Sequence, residues 1–353
     1  MRSKTRRTPR DARARRSTLA AAAAALPLAV SLIPSGAGPA PTAAPAAQPP
    51  EAVRSAAAPR GRAAPKEFGI PLGNLRDWAG SVVVTVDDVT VEGSSNVHKA
   101  EADCEIHLGA HTPDFRGDPD GLVLEPMNAC VEPFPGKSEQ KNSDWINFAK
   151  SLKGTTVTVA GVPRIWPEHL SGGGASNPDH AVELHPLTAV VSAGKTFDFA
   201  PNVFAGEYRG GVGEETADSI VRRTTVSVTR NGDDVEVSFS GGRIGNFTVL
   251  DIVIYRDSIA GDGAGSFRMD GEVVVDEETA VPVRIVTVKG SDVNAEMERI
   301  KSRRRARVSM PEALVLLSLS PRALLDAAQR SNGEPVAVER PLQLILYGTP
   351  DSE

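Results

Sequence analysis

The sequence lacks several features that would identify an activity directly. It contains no His-Glu-x-x-His motif, and no histidine or cysteine follows His185. A Ser-His-Asp combination therefore cannot be assembled in the second half of the chain. Aromatic residues make up 5% of the chain and are not interleaved with a basic groove, as single-strand binding would require. The apolar run from Leu19 to Ile33 is too short and too alanine-rich for a membrane-spanning helix.

Charge is divided unevenly along the chain. Residues 1–65 hold eleven Lys or Arg against two Asp or Glu, so the whole-chain net charge of −6 leaves −15 for residues 66–353. An acidic folded part repels a phosphate backbone. Nucleic acid is therefore not an expected partner, and the expected partner is a small molecule, a glycan or a protein of unknown identity.

The N-terminus has the pattern of an export signal. A basic stretch ends at Arg15 and Arg16, an apolar run follows, and small residues come next at 35–37. This predicts a signal peptide over residues 1–37 and an Ala/Pro-rich disordered linker over 38–65. The adjacent arginines leave both the Sec and the twin-arginine routes open. We expect an exported protein, secreted or in the cell envelope, with no stable membrane span after cleavage.

Composition divides the remaining chain into two parts. All six histidines, all three tryptophans and both cysteines lie within residues 66–196, whereas all three tyrosines lie within 197–353. We predict two domains with these ranges.

The first domain has the element order of a small barrel. Apolar alternation and a helical period with an N-cap candidate near Ser143 predict five strands and one helix. The strands cover 81–92, 102–112, 121–131, 155–165 and 181–191, and the helix covers 143–152. A helix between the third and fourth of five strands is the arrangement of the OB-fold, a Greek-key barrel. We therefore predict an OB-like five-stranded barrel with one helix.

The second domain is predicted to be mainly β as well. Alternating segments cover 224–230, 235–240, 247–256, 266–275, 281–288 and 335–347, and helical segments cover 293–304 and 321–329. Pro321 suits a first helical turn, and Asn231-Gly232 is a hairpin signal. The pattern indicates an antiparallel β domain carrying late helices, an α+β arrangement, in a mainly-β protein.

The two cysteines are placed to meet. Cys104 and Cys130 are equidistant from Gly117, which lies in the turn predicted between the second and third strands. Positions equidistant from a hairpin turn face each other across the ladder. In an exported protein they are predicted to form a disulfide, which contributes about 3 kcal/mol in the loop-entropy model.

Strand alternation selects four candidate site residues. It places His107, Glu125, Glu183 and His185 outward, on the face shared by the second, third and fifth strands. We take these four as candidate ligand-binding residues. His107 and His185 are also candidate ligands of a divalent metal, the one cofactor considered, because imidazole suits Zn, Mn or Fe. In the alternative interpretation, these histidines are solvated or hydrogen-bond neighbouring loops. No catalytic residue is assigned.

A family resemblance accompanies these segments. The strings ADCEIHL, GLVLEPMNACV, VTVAGVPRIW and HAVELHPLT resemble a group of exported bacterial OB-fold-type proteins of uncharacterised function. The matching positions are Glu105, His107, Glu125, Glu183, His185 and Pro186. The resemblance covers the first domain only and implies a barrel and export, without a reaction.

Three functional hypotheses follow. The first is an exported non-catalytic binding or structural protein of unknown ligand, built on an OB-like domain. The second is a metal-assisted hydrolase in which the four candidate residues hold a metal that activates water. The third is single-stranded nucleic-acid or oligosaccharide binding on the barrel face. Whether the protein is an enzyme is left open by the sequence.

Overall fold

The structure is a computed structural model that describes residues 64–99, 103–171, 173–201, 217–242 and 247–348. The predicted signal peptide and all of the predicted linker except its last two residues lie outside the described residues. In the described ranges, none of the helices has both the length and the apolar character needed to cross a membrane.

The first half of the chain forms one barrel, preceded by a strand and a helix and followed by a short strand. Its elements are β1 Lys66–Pro71, α1 Leu72–Gly80, β2 Val84–Ser94, β3 Leu108–His111, β4 Gly121–Leu124, α2 Asn142–Leu152, β5 Thr156–His169, β6 His180–Ser192 and β7 Lys195–Asp198. All six elements predicted for the first domain are present, and β1, α1 and β7 were not predicted.

Strands β2 to β6 close into a five-stranded barrel, called the first barrel here. β2 pairs antiparallel with β3 and β5, β3 with β4, and β5 with β6. β4 and β6 close the barrel as a parallel pair, with Leu124 opposite Leu184. Helix α2 lies between the third and fourth barrel strands, so the topology is consistent with the predicted OB-like fold.

Helix α2 forms because its apolar residues recur at helical spacing. Trp145, Phe148 and Leu152 are buried on one side of the helix. The ring of Phe134 lies 4.8 Å from that of Phe148, and the Trp145 indole stacks on Phe199 at 5.6 Å. These aromatic contacts fix the helix against the segments that flank the barrel.

The described part of the second half of the chain contains nine further strands and three further α-helices. They are α3 Ala217–Arg223, β8 Thr225–Asn231, β9 Asp234–Ser240, β10 Thr248–Tyr255, β11 Ala260–Gly261, β12 Phe267–Val274, β13 Ala280–Thr287, α4 Asp292–Lys301, β14 Arg307–Leu319, α5 Pro321–Arg330, β15 Val336–Ala337 and β16 Leu342–Gly348. Ser291 and Ser320 accept N-cap hydrogen bonds at the starts of α4 and α5. The predicted mainly-β class with late helices is confirmed.

Strands β10, β12, β13, β14 and β16 close a second barrel with the same strand order. β10 pairs antiparallel with β12 and β14, β12 with β13, and β14 with β16. β13 and β16 are parallel, with Val286 opposite Ile345, and α4 lies between the third and fourth barrel strands. The sheet predicted as antiparallel is therefore a closed mixed barrel, which the unpredicted strand β14 completes.

A smaller sheet connects the two ends of the described chain. Its strand order is β1-β9-β8-β15, and β1 pairs with β9 from Lys66 opposite Phe239 to Pro71 opposite Asp234. Helix α1 packs against helix α5. The first strand thus pairs with the second half of the chain, and the division of the chain at residue 196 stays a prediction.

The outer faces of the two barrels pack against each other. Apolar residues from both barrels form one buried cluster: Val82, Cys104, Met127, Val162, Phe247, Val286, Val288, Leu314, Leu316, Ile345 and Tyr347. Two hydrogen bonds join β5 to β14. The Arg164 Nε donates to the Leu317 carbonyl at 3.1 Å, and the Ile165 amide donates to the Ser318 hydroxyl at 3.0 Å. Water is excluded from this part of the first barrel.

The predicted disulfide is confirmed. Cys104 and Cys130 are bonded, with their Cα atoms 5.0 Å apart. The bond lies beyond the ends of β3 and β4, whose ladder runs from Ala110 opposite Leu122 to Leu108 opposite Leu124. It therefore joins the two segments that continue from the hairpin strands towards the second barrel.

Candidate functional site

The four predicted site residues lie together in one cluster. His107 Nε2 is 3.2 Å from Glu125 Oε1, and His185 Nδ1 contacts Glu125 Oε2. The same nitrogen of His185 is 3.5 Å from Glu183 Oε2. Three barrel strands or their direct extensions supply these side chains, as the predicted strand order requires.

These side chains are buried, although alternation predicts them on the outward face of the barrel. Glu125 and Glu183 are each 2% exposed, His185 is 0% exposed, and the His107 side chain is 12% exposed. Alternation along a strand correctly places them on the outer face of the first barrel. That face is buried because the second barrel covers it, with the Phe247 ring 5.5 Å from the His185 ring.

Three further charged or titratable residues complete the cluster, and they were not among the predicted site residues. His185 Nε2 lies 2.9 Å from Glu105 Oε1. Arg164 donates from Nη1 to Glu183 Oε2 at 2.6 Å, and His180 Nε2 is 3.2 Å from Glu183 Oε1. We call this set the buried network: Glu105, His107, Glu125, Arg164, His180, Glu183 and His185.

Two of these residues have a signal in the sequence, since Glu105 is one of the positions that carry the resemblance. Arg164 stands directly opposite Glu183 in the β5–β6 ladder. Both strands were predicted, and opposite charges at facing cross-strand positions stabilise an antiparallel pair. Aligning the two predicted strands would have found this arginine.

The buried network reaches the surface at both ends. At one end the His98 ring is 4.4 Å from the His107 ring, and His98 Nδ1 is 2.6 Å from Asp103 Oδ1. At the other end Arg164 contacts Glu168 at 3.2 Å, while His169 stacks on His180. The network is therefore a continuous chain of acids and bases with a sealed centre and half-buried ends.

The carboxylates at the centre remain ionised because cations face them. Burial alone raises the pKa of Glu183, but the Arg164 guanidinium and the His180 and His185 imidazoles hold it well below its usual range. Burial and the Glu183 carboxylate also raise the pKa of Glu125. The His107 and His185 imidazoles lower it by more, so the net pKa of Glu125 is below its ordinary value. Each anion thus depends on a basic neighbour.

Glu105 and His185 shift in the opposite direction. Burial raises the pKa of Glu105 well above its usual range, which favours the neutral acid. Burial lowers the pKa of His185, but the Glu105 and Glu125 carboxyl groups outweigh it and raise that pKa well above its usual range. The centre of the network accordingly balances the Glu125 and Glu183 carboxylates against cationic Arg164 and His185.

Three overlapping groups within and beside the network have donor sets that suit a metal ion. They are Glu125, Glu183 and His185; Glu105, His107 and Glu125; and His98, Asp103 and His107. In each group, one ligand atom per residue lies within 4.8 Å of the others, and such nitrogen and oxygen donors suit Zn, Mn or Fe. Only the third group is half-buried rather than largely sealed. His107 Nε2, common to two groups, is 3.2 Å from Glu125 Oε1 but forms no hydrogen bond among the described residues.

A separate cleft lies where helix α1, the first barrel and the second barrel meet. Its volume is about 280 Å³. Four of its lining residues are charged, three on β12 and β13 and one at the start of α5: Arg268, Asp270, Arg284 and Arg322. Trp78 of α1 and Pro163 of β5 also line the cleft.

The fold and the buried network define a mainly-β protein of two closed, OB-like barrels packed on each other. Comparisons with protein-family models, with curated proteins and with solved structures found no match to this chain. Its function is therefore inferred from its own residues.

Proposed function

We propose that this protein is an exported, non-catalytic binding protein whose two barrels the buried network holds in one orientation. The observation that carries the proposal is the burial of the four candidate side chains together with the pairing of their charges. A reactive group needs contact with its substrate, and these groups contact each other and the second barrel instead.

The network suits a structural role because one of its members, Arg164, also forms a hydrogen bond to the second barrel. Arg164 links the Glu183 carboxylate of the first barrel to the Leu317 carbonyl of the second. A buried carboxylate has a large desolvation penalty unless its partner is in place. Separating the barrels would break the Arg164 bond to Leu317 and open the network to water, so the charge pairs favour one packing.

Ligand binding is assigned to the cleft, which unlike the network centre is open to solvent. It is lined by parts of both barrels and by helix α1, so its shape depends on the packing that the network fixes. Export is supported by the N-terminal pattern and by the Cys104–Cys130 disulfide, since disulfides persist in oxidising compartments. We also propose that the protein is related to the exported OB-fold-type group that its first domain resembles.

A thermal-shift screen of the purified protein tests the binding function. The panel contains neutral oligosaccharides, organic acids, phosphate esters, single-stranded oligonucleotides and divalent metal ions. We expect saturable stabilisation by at least one small molecule, because a ligand that binds only the folded state raises the melting temperature. The ligand should be recovered chemically unchanged. Conversion of a stabilising compound into product, or no stabilisation by any class, contradicts the proposal.

A metal site is the second candidate function, favoured by the half-buried group of His98, Asp103 and His107. Its nitrogens and carboxylate would hold Zn²⁺, which would supply a Lewis acid and an activated water for the hydrolase hypothesis. Isothermal titration with Zn²⁺ tests it, with His98→Ala as the disrupting variant. His111→Ala is the matched control, because His111 pairs with Glu92 outside all three groups. Stoichiometric binding lost only in His98→Ala supports the metal site, and equal titrations of all three proteins contradict it.

A further inference from the structure

We infer that the cleft between the barrels binds a small organic anion, whose carboxylate or phosphate group is held by Arg268, Arg284 and Arg322. This inference rests on the proposed binding function and names its ligand class.

The three arginines converge from different elements. Arg268 lies on β12, Arg284 on β13 and Arg322 in the first turn of α5. Arg268 stands opposite Val286, which is two positions from Arg284 on β13. The start of α5 adds the positive end of its helix dipole to the same wall. Within an acidic folded part of the chain, this wall concentrates positive charge.

Protein carboxylates neutralise only part of this charge. Asp326 lies 3.0 Å from Arg322 and 3.8 Å from Arg284, and Asp270 stands opposite Arg284 across the β12–β13 ladder. Arg268 donates to a neutral acceptor, the Ala79 carbonyl, at 2.8 Å. Three guanidinium groups therefore face two carboxylates, and one positive charge remains for a ligand.

Arg284 gives the most specific indication. Its Nε is buried and has no hydrogen-bond partner among the described residues, although a buried cationic donor left without an acceptor destabilises the fold. Burial lowers the pKa of Arg284, and Arg322 and Arg340 act in the same direction against Asp270 and Asp326. An anionic group bound to the accessible part of this side chain, which is 31% exposed, would offset the crowding of positive charge.

The rest of the cleft indicates the remainder of the ligand. Apolar side chains line the wall beside the arginines: Trp78, Pro163, Met269, Ile285 and Val286. A volume of about 280 Å³ is at the small end of the range for ligand pockets. The ligand class is thus a compact apolar body with one carboxylate or phosphate, because guanidinium forks bind either group in a bidentate manner.

Titration calorimetry with phenyl phosphate, benzoate and benzyl alcohol tests the inference. The three probes have similar aromatic bodies and differ in the anionic group. We expect both anions to bind and the neutral alcohol not to bind. Arg284→Gln should weaken anion binding about tenfold or more, because the anion loses its hydrogen bonds to a charged group. Arg322→Gln should weaken it in the same direction.

Arg299→Gln is the matched control for Arg322→Gln. Each arginine pairs with a carboxylate one turn away on its own helix, but Arg299 is on α4 and does not line the cleft. Melting curves establish that each variant is folded. Anion binding that is unchanged in both cleft variants, or that is lost equally in Arg299→Gln, overturns the assignment of the cleft.

The other outcomes separate this inference from the binding function. Equal affinity for benzyl alcohol and benzoate overturns the anionic class and leaves a binding protein. Failure of both anions overturns the inference. If a neutral oligosaccharide from the thermal-shift screen still stabilises the protein, the proposed binding function stands without the anion site. If no compound stabilises the protein, the binding function and the anion site are both contradicted.

Discussion

The two barrels share a strand order but differ at the face where they meet. In the first barrel, the pair of facing residues on β5 and β6 at this contact is Arg164 opposite Glu183. In the second barrel the corresponding fourth and fifth strands are β14 and β16, and the pair is Leu316 opposite Ile345. One topology thus presents a charged pair on one side of the contact and an apolar pair on the other.

The difference shows how a charged pair becomes buried. The apolar face of the second barrel removes water from the first, which strengthens every charge interaction there and raises the penalty for an unpaired group. A buried ion pair gives little net stability compared with apolar packing, but it is strongly destabilising when half of it is removed. The charged face therefore discriminates between packings more than it adds stability.

Removing one charge from the first barrel should have the largest effect. We expect Arg164→Met to lower the free energy of unfolding by about 3–5 kcal/mol, because Glu183 keeps a buried charge without its guanidinium partner. Leu316→Ala, at the matching position of the second barrel, should lose about 2–5 kcal/mol through a cavity. Urea unfolding followed by circular dichroism measures both.

A second substitution separates the two mechanisms. Adding Glu183→Leu to Arg164→Met should restore part of the lost stability, because no buried charge is then left unpaired. Adding Ile345→Ala to Leu316→Ala should lose more, because the cavity grows. If both double variants are less stable than their single variants, the charged pair is no different from the apolar pair.

Removing the disulfide should have the next largest effect. The second barrel contains no cysteine, so the crosslink stabilises the first barrel alone. Replacing Cys104 and Cys130 by alanine should lower the free energy of unfolding by about 3 kcal/mol in the loop-entropy model. Amide hydrogen exchange should accelerate in β3 and β4 more than in β12 and β13. Two free thiols in the mass spectrum of the unreduced protein would contradict the crosslink.

Stability should depend on pH in a way that only the first barrel explains. His185 faces Glu105, Glu125, Glu183 and Tyr347, and its pKa is raised, so its contribution is complete below its ordinary 6.5 and is lost as pH rises through the folded value. The raised pKa of Glu105 acts in the same direction.

The lowered pKa of Glu183 affects stability on the acidic side of the pH profile. Its contribution is present above its ordinary 4.5 and is lost as pH falls through the folded value. Melting temperature should therefore be highest near pH 4.5, should fall above that pH as Glu105 loses its proton, and should fall further above about pH 6.5 as His185 loses its own. His185→Leu should flatten the alkaline side of the profile, whereas Leu316→Ala should lower the whole profile without changing its shape. A maximum above pH 8 would refute this assignment of charges.

Removing one hydroxyl from the second barrel should have the smallest effect. The Tyr347 hydroxyl is buried without a hydrogen-bond partner among the described residues, and burial raises its pKa. Tyr347→Phe should leave stability unchanged or raise it by about 1 kcal/mol. Tyr255→Phe is the control, because that hydroxyl donates to Glu272 at 2.5 Å, and its loss should be destabilising by about 1 kcal/mol. A clear loss of stability in Tyr347→Phe would show that this hydroxyl stabilises the network.

The first barrel could be predicted from sequence because its signals are local. Alternation marks β5 and β6, the apolar spacing marks α2, and the two cysteines mark the hairpin between β3 and β4. The second barrel was predicted only as a β domain because β14 lacks such a signal. Arg307–Leu319 contains Pro311 and then a continuous apolar run, which does not alternate.

The sequence predicted which four residues form the candidate site, but it did not predict that they are buried. Alternation is a property of one strand, so it could place His185 and Glu183 on an outer face. The cover over that face comes from residues more than 60 positions later, such as Phe247 and Tyr347. Long-range packing of this kind has no local pattern in a single sequence. The cleft arginines were missed for the same reason, because they meet only when β12, β13 and α5 have folded.

The protonation state of His185 tests the central claim most directly. The two accounts of the buried network differ in whether this imidazole is a paired cation or a neutral base. An NMR titration of the histidine rings, assigned with His185→Leu, measures it in the intact protein. A structural network predicts that His185 stays protonated well above its ordinary pKa of 6.5 and is unaffected by ligands of the cleft. A ring that titrates at or below 6.5 and shifts with substrate or Zn²⁺ would contradict the account and favour a reactive site.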